Sequence, residues 1–499
     1  AYFMDRLKLT PDYDYKFLGD AAFDTRYVDN AVLSQTGQRY VGGTGSDLAQ
    51  MQYLIDNAAE QQAGLGLQLG VSLSPEQVAA LTKSIVWWEK TTVNGQTVLA
   101  PKLYLSANDT HAVTGSVISG NTVNLDAGHI VNAGSTLQAQ TQLAAKSSSS
   151  LDNLSAGLIA SNGSLQLSAL GDINNIGSSI SGQTVALASV SGDINNVTQA
   201  QQWTAAPTTS KSKTSQLTFS QTQTGDVAGI SATDGLSLTA GHDINNTGAR
   251  LTAGSDLQLV ALNDISITGN ALSTSNTTAK SSAQTTDSQA STVSAGGNLS
   301  ASAGHDLTVA GSAVTAKGDA TLAVVNDINL NTMDKSSHQT SGKNQADSNN
   351  ATRTVVSSGG DLTLSAGRDL NSQAAQLTAD LNASLSAGRD VNLNAQQTST
   401  YSETHGSKSV SIRENVGQEG TAVVSGVSTS IAAGRDITTQ AAQVQATGDL
   451  ALNAGRDVNI TTAQESQYSY DEKTKTKKHL FSGTTTHTVA EDYATTEKA

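Results

Sequence analysis

The residues best suited to chemistry are four adjacent arginine–aspartate pairs in the C-terminal third of the chain. They are Arg368-Asp369, Arg389-Asp390, Arg435-Asp436 and Arg456-Asp457. An arginine beside a carboxylate could bind an acidic sugar and move a proton, as in polysaccharide lyases built on parallel β-helices. A catalytic group is needed once in a site, however, whereas these pairs recur in one sequence context. We therefore interpret them as structural and expect no catalytic residue and no enzymatic activity.

Metal and cofactor chemistry also lacks a clear pattern. The calcium-binding nonapeptide Gly-Gly-x-Gly-x-Asp requires a period of nine residues, which this chain does not have. The eight histidines are not spaced as zinc ligands, and without any cysteine the chain has no thiolate ligand. The net charge of -15 argues against a nucleic-acid partner, because such binding needs a basic surface. We expect no metal site, no cofactor and no nucleic acid.

The aspartates of the pairs belong to a regular lattice. Residues 360–371 recur in similar form as residues 448–459 and, with His305 in place of arginine, as residues 297–308. Successive aspartates lie 21 or 42 residues apart in seven cases: 172 to 193, 243 to 264, 264 to 306, 306 to 327, 327 to 369, 369 to 390, and 436 to 457. Two longer intervals depart from this lattice, from Asp193 to Asp243 and from Asp390 to Asp436.

This period predicts the fold class. A unit of this length is too short for a pair of helices, and alternating residues such as Leu362 and Leu364 indicate strands bounded by tight turns. We expect a mainly β protein, a right-handed parallel β-helix (β-solenoid) of about 21 residues per coil, preceded by a small helical module. At that length the roughly 360 residues of the array would form about 17 coils and a rod on the order of 80 Å long.

The repeat also predicts which side chains stack. The leucines and valines of each strand should point inward, and the asparagine after each aspartate should form a ladder of stacked amides. Stacked aspartates would repel one another, which the basic residue before each of them should partly offset. The asparagines and the basic residues are Asn174, Asn195, Asn245, Asn329, Asn371, Asn392 and Asn459, and His242, His305, Arg368, Arg389, Arg435 and Arg456.

Four polar tracts interrupt or follow the lattice, at residues 273–292, 335–354, 399–420 and 466–488. The first two fall inside intervals of twice the period, so we interpret the tracts as coils with longer, solvent-facing strands or loop excursions. A cluster of four lysines (Lys473, Lys475, Lys477 and Lys478) is expected to be a solvated loop. Trp203, in the irregular interval that ends at Asp243, is expected to pack locally or to form an exposed contact.

Residues 1–105 differ from the array of residues 106–499 and are expected to form a separate domain. One helix should begin after Ser46 and end before Gly64. A second should begin after Ser74, with Pro75 in its first turn and Gln77 completing a capping box.

The apolar residues of the second helix (Val78, Leu81, Ile85 and Trp88) keep helical spacing, and Asn94-Gly95 predicts a hairpin ending near Leu105. The aromatic residues of this module should fill its core, among them Tyr13, Tyr15, Phe17, Phe23, Tyr27, Trp87 and Trp88.

The corner Ala366-Gly367-Arg368-Asp369-Leu370-Asn371 resembles the haemagglutinin repeats of large two-partner-secretion exoproteins of Gram-negative bacteria. Segments of the N-terminal module resemble the region before the second repeat array of contact-dependent growth inhibition exoproteins and related filamentous haemagglutinins. These segments are residues 18–27, Gln35-Thr36-Gly37-Gln38-Arg39-Tyr40 and Ile85-Val86-Trp87-Trp88-Glu89. The resemblance extends over nearly the whole chain.

This resemblance implies a secreted protein on the cell surface of a Gram-negative bacterium. Its partners would be an outer-membrane two-partner-secretion transporter during export and the outer membrane or a surface receptor of a target cell. The repeats would act without catalysis as scaffold and delivery element for a C-terminal toxin, which we do not recognise within these residues. The alternatives are the shaft of a filamentous adhesin and, less in keeping with the recurrent pairs, an enzyme on a β-helix.

Overall fold

The computed structural model describes residues 6, 24–25, 27–29, 31–32, 40–42, 44, 46–74, 77–78, 80–93, 96–106, 115–205, 218–479 and 482–498. The chain divides into two compact units, Ala1–Val117 and Ile118–Ala499.

The N-terminal unit contains the helix Asp47–Leu65. Ser46 caps it as predicted, since its Oγ accepts the backbone N–H of Ala49 at 3.2 Å. The helix runs past Gly64 and ends at Gly66, whose φ of 64° lies in the left-handed region that glycine adopts readily. Leu54 and Ala58 on its inner face are fully buried, whereas Leu48 near its start is 66% exposed.

The second predicted helix is mostly wrong. Its capping box forms, because Ser74 N–H donates to Gln77 Oε1 at 2.8 Å and Gln77 N–H donates to Ser74 Oγ at 3.2 Å. The chain then leaves helical geometry, and Ile85–Val93 is a strand paired antiparallel with Gln96–Tyr104. This pairing confirms the predicted hairpin, whose turn residues 94 and 95 lie outside the described part of the chain.

The hairpin supplies the aromatic side chains of this unit's core. Trp87 is fully buried and donates its indole N–H to the Gln68 carbonyl at 3.1 Å, and Trp88 is 3% exposed. Tyr27, by contrast, is 48% exposed and does not fill the core. The other aromatics predicted there, Tyr13, Tyr15, Phe17 and Phe23, lie outside the described residues.

In its described residues the second unit is a parallel β-solenoid of 12 coils, each with three strand positions, and confirms the predicted fold class. Each strand pairs in parallel with the equivalent strand of the next coil, as Leu362–Ala366 does with Ala383–Ala387. The right-handed winding stays a prediction from the chirality of parallel crossovers.

The bounds of the strands are as follows. Two long strands, Val117–Ala127 and Thr136–Ser147, run through the first and second positions of the first two coils. The later first-position strands are Leu158–Ser161, Ser179–Gly182, Gly229–Ala232, Arg250–Ala253, Thr292–Ala295, Ala313–Ala316, Val355–Ser358, Gln376–Ala379, Ala422–Ser425 and Gln443–Ala446. The second-position strands are Ser164–Ala169, Thr184–Ser189, Leu236–Ala240, Leu257–Ala261, Leu299–Ala303, Ala320–Val324, Leu362–Ala366, Ala383–Ala387, Thr429–Ala433 and Leu450–Ala454. The third-position strands are Ile130–Ala133, Leu151–Leu154, Ile173–Ile176, Ile194–Val197, Ile244–Thr247, Ile265–Thr268, Leu307–Ala310, Ile328–Asn331, Leu370–Gln373, Val391–Asn394, Asp436–Gln440 and Asp457–Thr461.

The core of the solenoid is a set of stacked aliphatic columns, as the alternation predicts. Leu364 is fully buried between Leu322 in the preceding coil and Leu385 in the next. Leu450 is an exception at 48% exposed, because it lies in the last described coil, where no coil covers it.

The polar tracts are not coils. They form four β-hairpins that leave the solenoid, and with a fifth hairpin between Asp193 and Asp243 these pair edge to edge in a second, ten-stranded antiparallel sheet, which we call the hairpin sheet. The hairpins, numbered 1 to 5, are Ala200–Ala205 with Thr218–Thr224, Asn270–Thr277 with Ser281–Gln289, Met333–Ser341 with Asn344–Thr352, Gln396–His405 with Ser409–Glu419, and Ala463–His479 with Ser482–Lys498.

The doubled interval from Asp327 to Asp369 therefore holds one coil and one hairpin, not two coils. The strand before hairpin 3, Ile328–Asn331, pairs directly with Leu370–Gln373 after it. The rod consequently has 12 coils instead of about 17, and at the usual strand spacing it is on the order of 55 Å long. The two irregular intervals, of 50 and 46 residues, contain hairpins 1 and 4, so the lattice itself is unbroken.

The spacing of the coils in the solenoid matches the width of the hairpins in the hairpin sheet. A hairpin leaves the solenoid after every second coil, from the fourth coil to the twelfth. Two coils advance the rod by roughly 9.6 Å, which is also the width of two hydrogen-bonded strands. Successive hairpins therefore leave the solenoid at the distance at which their edges can hydrogen-bond. One hairpin for every two coils is enough to produce a continuous sheet.

Candidate functional site: the corner ladder and the hairpin sheet

The lattice aspartates form a continuous hydrogen-bonded ladder at one corner of the solenoid. In each step the carboxylate Oδ1 accepts the backbone N–H of the aspartate in the next coil, for example Asp306 from Asp327 at 2.9 Å. The same bond links Asp172 to Asp193 and continues through to Asp436 and Asp457. Each aspartate therefore closes a turn by satisfying a backbone donor of its neighbour.

Arginine clamps neutralise the second half of this ladder, as the sequence predicts. The Arg368 guanidinium reaches back to Asp327, with Nε 2.8 Å from Oδ1, and lies 3.6 Å from its own neighbour Asp369. Arg389, Arg435 and Arg456 repeat this geometry one coil further along each time.

The clamps hold the carboxylates in their charged form. Burial raises the pKa of Asp327, but the Arg368 side chain and the Asp369 backbone N–H outweigh burial and lower the pKa below its ordinary value. Hydrogen bonds from Arg435 and Arg456 lower the pKa of Asp390 and of Asp436 respectively. A carboxylate held charged between two coils is poorly suited to proton transfer, and the arrangement is that of a repeated structural clamp.

The predicted amide ladder forms along the outer side of the third strands. Asn195 donates to Asn174 at 2.9 Å and accepts from Asn245 at 2.9 Å, and Asn392, Asn371 and Asn329 form a second run. Asn459 lies opposite Thr438, so no amide stands below it to extend the ladder.

A second, buried amide ladder was not predicted. It runs through the core along Asn132, Asn153, Asn175, Asn196 and Asn246, with amide contacts of 2.7–2.8 Å. For Asn175, Asn196 and Asn246 the signal in the sequence is that each is the second asparagine of an Ile-Asn-Asn triplet, a polar residue that by itself would be expected on the surface. Beyond Asn246 the same position becomes Ile267 and then Val309, so the core changes from polar to aliphatic.

Buried hydroxyls fix the roots of the hairpins. Where the chain returns from hairpins 2, 3 and 4 it places Ser291, Thr354 and Thr421 in the core, all fully buried. The Thr354 hydroxyl lies within hydrogen-bonding distance of two backbone carbonyls: its Oγ1 is 2.6 Å from the oxygen of Asn331 and 3.1 Å from that of Val309. Asn331 is the last residue of the strand before the hairpin, so the hydroxyl satisfies the backbone where the chain leaves the coil.

The hairpin sheet is solvated on both faces. Among its described side chains only Asn270 and Ala463, each the first residue of a hairpin, are buried. The lysine cluster lies within the strand Ala463–His479 and is not the predicted loop; Lys473, Lys475 and Lys477 are exposed as predicted. Trp203 is 50% exposed and contacts Phe219 edge to face at 5.8 Å, so it combines local packing with exposure.

The two faces of hairpins 4 and 5 differ in chemistry. One cross-strand row places Tyr401, Glu414, Tyr468 and Tyr493 opposite one another, and directly opposed residues share a face. The rows beside it add Glu403, His405, Ile412, Tyr470, Glu472 and Glu491. We call this the tyrosine face; its described side chains in these two hairpins include no lysine or arginine.

Hydrogen bonds favour the ionised form of Glu403 on the tyrosine face. Tyr401 Oη donates to Glu403 Oε2 at 2.8 Å, and this bond, with that of His405, lowers the pKa of Glu403. The opposite face carries serines and threonines together with Lys473, Lys475 and Arg413, the last paired with Asp471 at 2.6 Å. One sheet thus presents an acidic, aromatic face and a hydroxyl-rich face of mixed charge.

A triad-like row also appears on the tyrosine face. His487 Nε2 lies 3.2 Å from Thr474 Oγ1, and His487 Nδ1 lies 3.2 Å from Glu472 Oε1. Sequence spacing could not show this row, because its members face each other across a hairpin. The imidazole is 61% exposed on a flat sheet, so nothing encloses a substrate or excludes water around it.

Within the described residues, no helix has the length and apolar character required to cross a bilayer.

The Hemagglutinin repeat family profile matches residues 272–346, 335–422 and 404–488. Its three matches each begin in one hairpin; the first and third end in the next hairpin, and the second ends at residue 422, just after hairpin 4. The repeat recognised by the family is therefore a two-coil unit that includes a hairpin.

Curated relatives match larger parts of the chain. A tRNA nuclease CdiA of Escherichia coli O6:K15:H31 is 53% identical over 386 residues, which are 76% of this chain and 12% of the relative. A 16S rRNA endonuclease CdiA of Enterobacter cloacae is 60% identical over 252 residues, 50% of this chain and 7% of the relative. A deoxyribonuclease CdiA of Dickeya dadantii is 50% identical over 255 residues, 51% of this chain and 8% of the relative.

The chain thus spans about a tenth of the length of these relatives. No solved structure matches it. The repeated corners, the two-coil period and the shared sequence together place the chain in a family: it belongs to the haemagglutinin-repeat exoproteins of the filamentous-haemagglutinin type that include the CdiA proteins of contact-dependent growth inhibition.

Proposed function

We propose that residues 106–499 are a non-enzymatic repeat segment that acts as scaffold and delivery element for a toxin carried elsewhere in the same exoprotein. In this proposal the coils form the rod, and the hairpin sheet presents the surface that acts at the target cell. The toxin would inhibit the growth of neighbouring bacteria on contact.

One observation carries this proposal. Over 50–76% of its length this chain is 50–60% identical to relatives that are named for three different activities, on tRNA, on 16S rRNA and on DNA. Residues shared so closely cannot determine which nucleic acid is cleaved. A common delivery role accounts for their similarity, and the recurrent Arg–Asp clamps, which are structural at every corner, fit a part without catalysis.

We further propose that the protein is exported by an outer-membrane two-partner-secretion transporter and displayed on the surface of a Gram-negative cell. The partner on the target would be its outer membrane or a surface receptor. The absence of cysteine supports export, because no disulfide can form before the chain crosses a membrane. The acidic net charge and the acidic tyrosine face give no support to a nucleic-acid partner.

A deletion in the full-length exoprotein tests the proposal. A known toxin is fused at the C-terminus and residues 106–499 are removed, while surface display, attachment to target cells and growth inhibition are measured separately. We expect display and attachment to persist and growth inhibition to be lost. Unimpaired inhibition would contradict a delivery role.

A complementary measurement separates delivery from adhesion. The purified segment, without toxin, is incubated with target cells and its retention is measured after washing. Strong retention together with loss of attachment on deletion would favour the adhesin instead.

A further inference from the structure

Two histidines of the corner ladder occupy a position that arginine takes elsewhere. His242 Nδ1 lies 2.8 Å from Asp193 Oδ1 in the preceding coil and 3.2 Å from Asp243 Oδ2 in its own. His305 repeats this geometry two coils later, with Nδ1 3.0 Å from Asp264 Oδ1 and 3.4 Å from Asp306 Oδ2. In the described part of the chain these are the two groups in which three ligating side chains converge.

The arginine steps show that each such pair of carboxylates is a slot for a cation. Arg368, Arg389, Arg435 and Arg456 each place a permanently charged guanidinium between two successive aspartates. Arg368 and Arg435 do so at steps that span a hairpin, just as His242 and His305 do. A neutral imidazole leaves the two carboxylates of its slot without that positive charge.

The histidine slots differ from the arginine slots in what they can bind. Imidazole and carboxylate are zinc ligands, with bonds of about 2.0–2.2 Å, whereas a guanidinium cannot ligate. The imidazole nitrogen lies 2.8–3.4 Å from one oxygen of each carboxylate, close to the roughly 3.4 Å edge of a tetrahedral zinc site with such bonds. The two histidine side chains are 56% and 55% exposed, so an ion can enter and water can complete its coordination.

We propose that His242 with Asp193 and Asp243, and His305 with Asp264 and Asp306, are two binding sites for a divalent transition metal of the zinc class. The ion binds the imidazole Nδ1 in place of a proton: an imidazolium releases its Nδ1 proton to solvent and keeps the proton on Nε2, and a neutral imidazole binds as the Nε2–H tautomer. It joins neighbouring coils as the guanidinium does in the later steps. Magnesium and calcium, which prefer all-oxygen ligands, are not expected to bind here.

The distance between ligands along the chain conceals these sites. His242 is 49 residues from Asp193, and His305 is 41 residues from Asp264, since a hairpin intervenes in both steps. Motifs that read short spacings therefore predict no metal site, although stacking brings the ligands together.

Zinc titration of the whole chain, by calorimetry and by metal analysis after dialysis, tests the proposal. The decisive variant is His242→Arg/His305→Arg, because arginine fits the same slot elsewhere in this ladder and should preserve the fold. His338→Gln is the matched control, since His338 contacts the carboxylate of Asp347 on the hairpin sheet and belongs to neither site. Far-UV circular dichroism monitors the fold of each variant.

We expect two zinc ions per chain in the unaltered protein and in His338→Gln, and loss of both in the double arginine variant. Magnesium at the same concentration should not compete. Two bound zinc ions in the double arginine variant, or none in the unaltered chain, would overturn the assignment.

Cobalt substitution of the unaltered chain gives a readout that does not depend on any variant. X-ray absorption should show one imidazole and oxygen ligands at each ion. A spectrum without imidazole would also overturn the proposal.

Discussion

Replacing Leu364 by alanine should weaken the solenoid at its most regular point. Leu364 is fully buried, with Leu322 and Leu385 above and below it in the same column. The change removes three carbons, and at about 0.8 kcal/mol for each the transfer term is roughly 2.4 kcal/mol. The stacked backbones cannot collapse into the space, because hydrogen bonds fix their spacing, so a cavity term adds to this. We expect a loss of about 3–4 kcal/mol in the free energy of unfolding.

The matched control is Leu262→Ala. Leu262 is 70% exposed at a corner of the same solenoid, and its removal should change the free energy of unfolding by less than about 0.5 kcal/mol. Urea unfolding followed by far-UV circular dichroism compares the two variants, and the slope with denaturant shows whether unfolding remains cooperative. Hydrogen exchange of the amides in residues 355–394 locates the effect. Equal losses for the two variants would refute the inward assignment of the repeated leucines.

Three further predictions concern polar groups. The lowered pKa values of Asp327, Asp390 and Asp436 mean that their clamps stabilise the folded protein above about pH 4, the ordinary aspartate value, and that this contribution is lost as the pH falls through their lower folded values. The melting temperature should therefore decrease as the pH is lowered below 4, and it should decrease by less in Arg435→Gln. The same dependence of melting temperature on pH in that variant and in the unaltered protein would count against the clamps. Thr354→Val should lower the free energy of unfolding by about 1–3 kcal/mol, because it leaves a carbonyl at the root of hairpin 3 without its donor. An unchanged melting temperature would show that the hydroxyl does not stabilise this root. Leu364→Asp should be more damaging than Leu364→Ala, since it buries an unpaired charge, and equal melting temperatures would contradict this.

The solenoid can be predicted from the sequence because every coil needs the same residue types at the same positions. Each coil must turn, so glycine and aspartate recur at its corners, and each coil must cover its neighbour, so Leu362 and Leu364 have equivalents throughout the array. The register of Asp243 with Asp264 and of Asp369 with Asp390 follows directly from the 21-residue period. Even the arginine clamps can be inferred, since stacked carboxylates require a cation.

The hairpin sheet escapes prediction for a physical reason. Its strands are polar on both faces, so no apolar alternation marks them, and the partner of a strand in hairpin 3 lies in hairpin 4, beyond two intervening coils of the chain. The alternation of 21-residue with 42-, 46- and 50-residue intervals does contain the signal, because it places a hairpin after every second coil.

The predicted helix through Ile85 and Trp88 fails for a different reason. Val78, Leu81, Ile85 and Trp88 fit a helical period, but residues 85–88 are a continuous run of β-branched and aromatic residues. Such a run also suits a buried strand, and Gln96–Tyr104 is the antiparallel partner of that strand.

The central claim is that the hairpin sheet carried by the rod is what acts at the target cell. The most direct test replaces hairpins 2, 3 and 4 of the full-length exoprotein by short glycine–serine turns, which leaves the pairing of every coil intact. Surface display and toxin entry into target cells are then measured together, with Leu262→Ala as the control. We predict normal display and loss of toxin entry, whereas toxin entry at the level of the unaltered protein would contradict the claim.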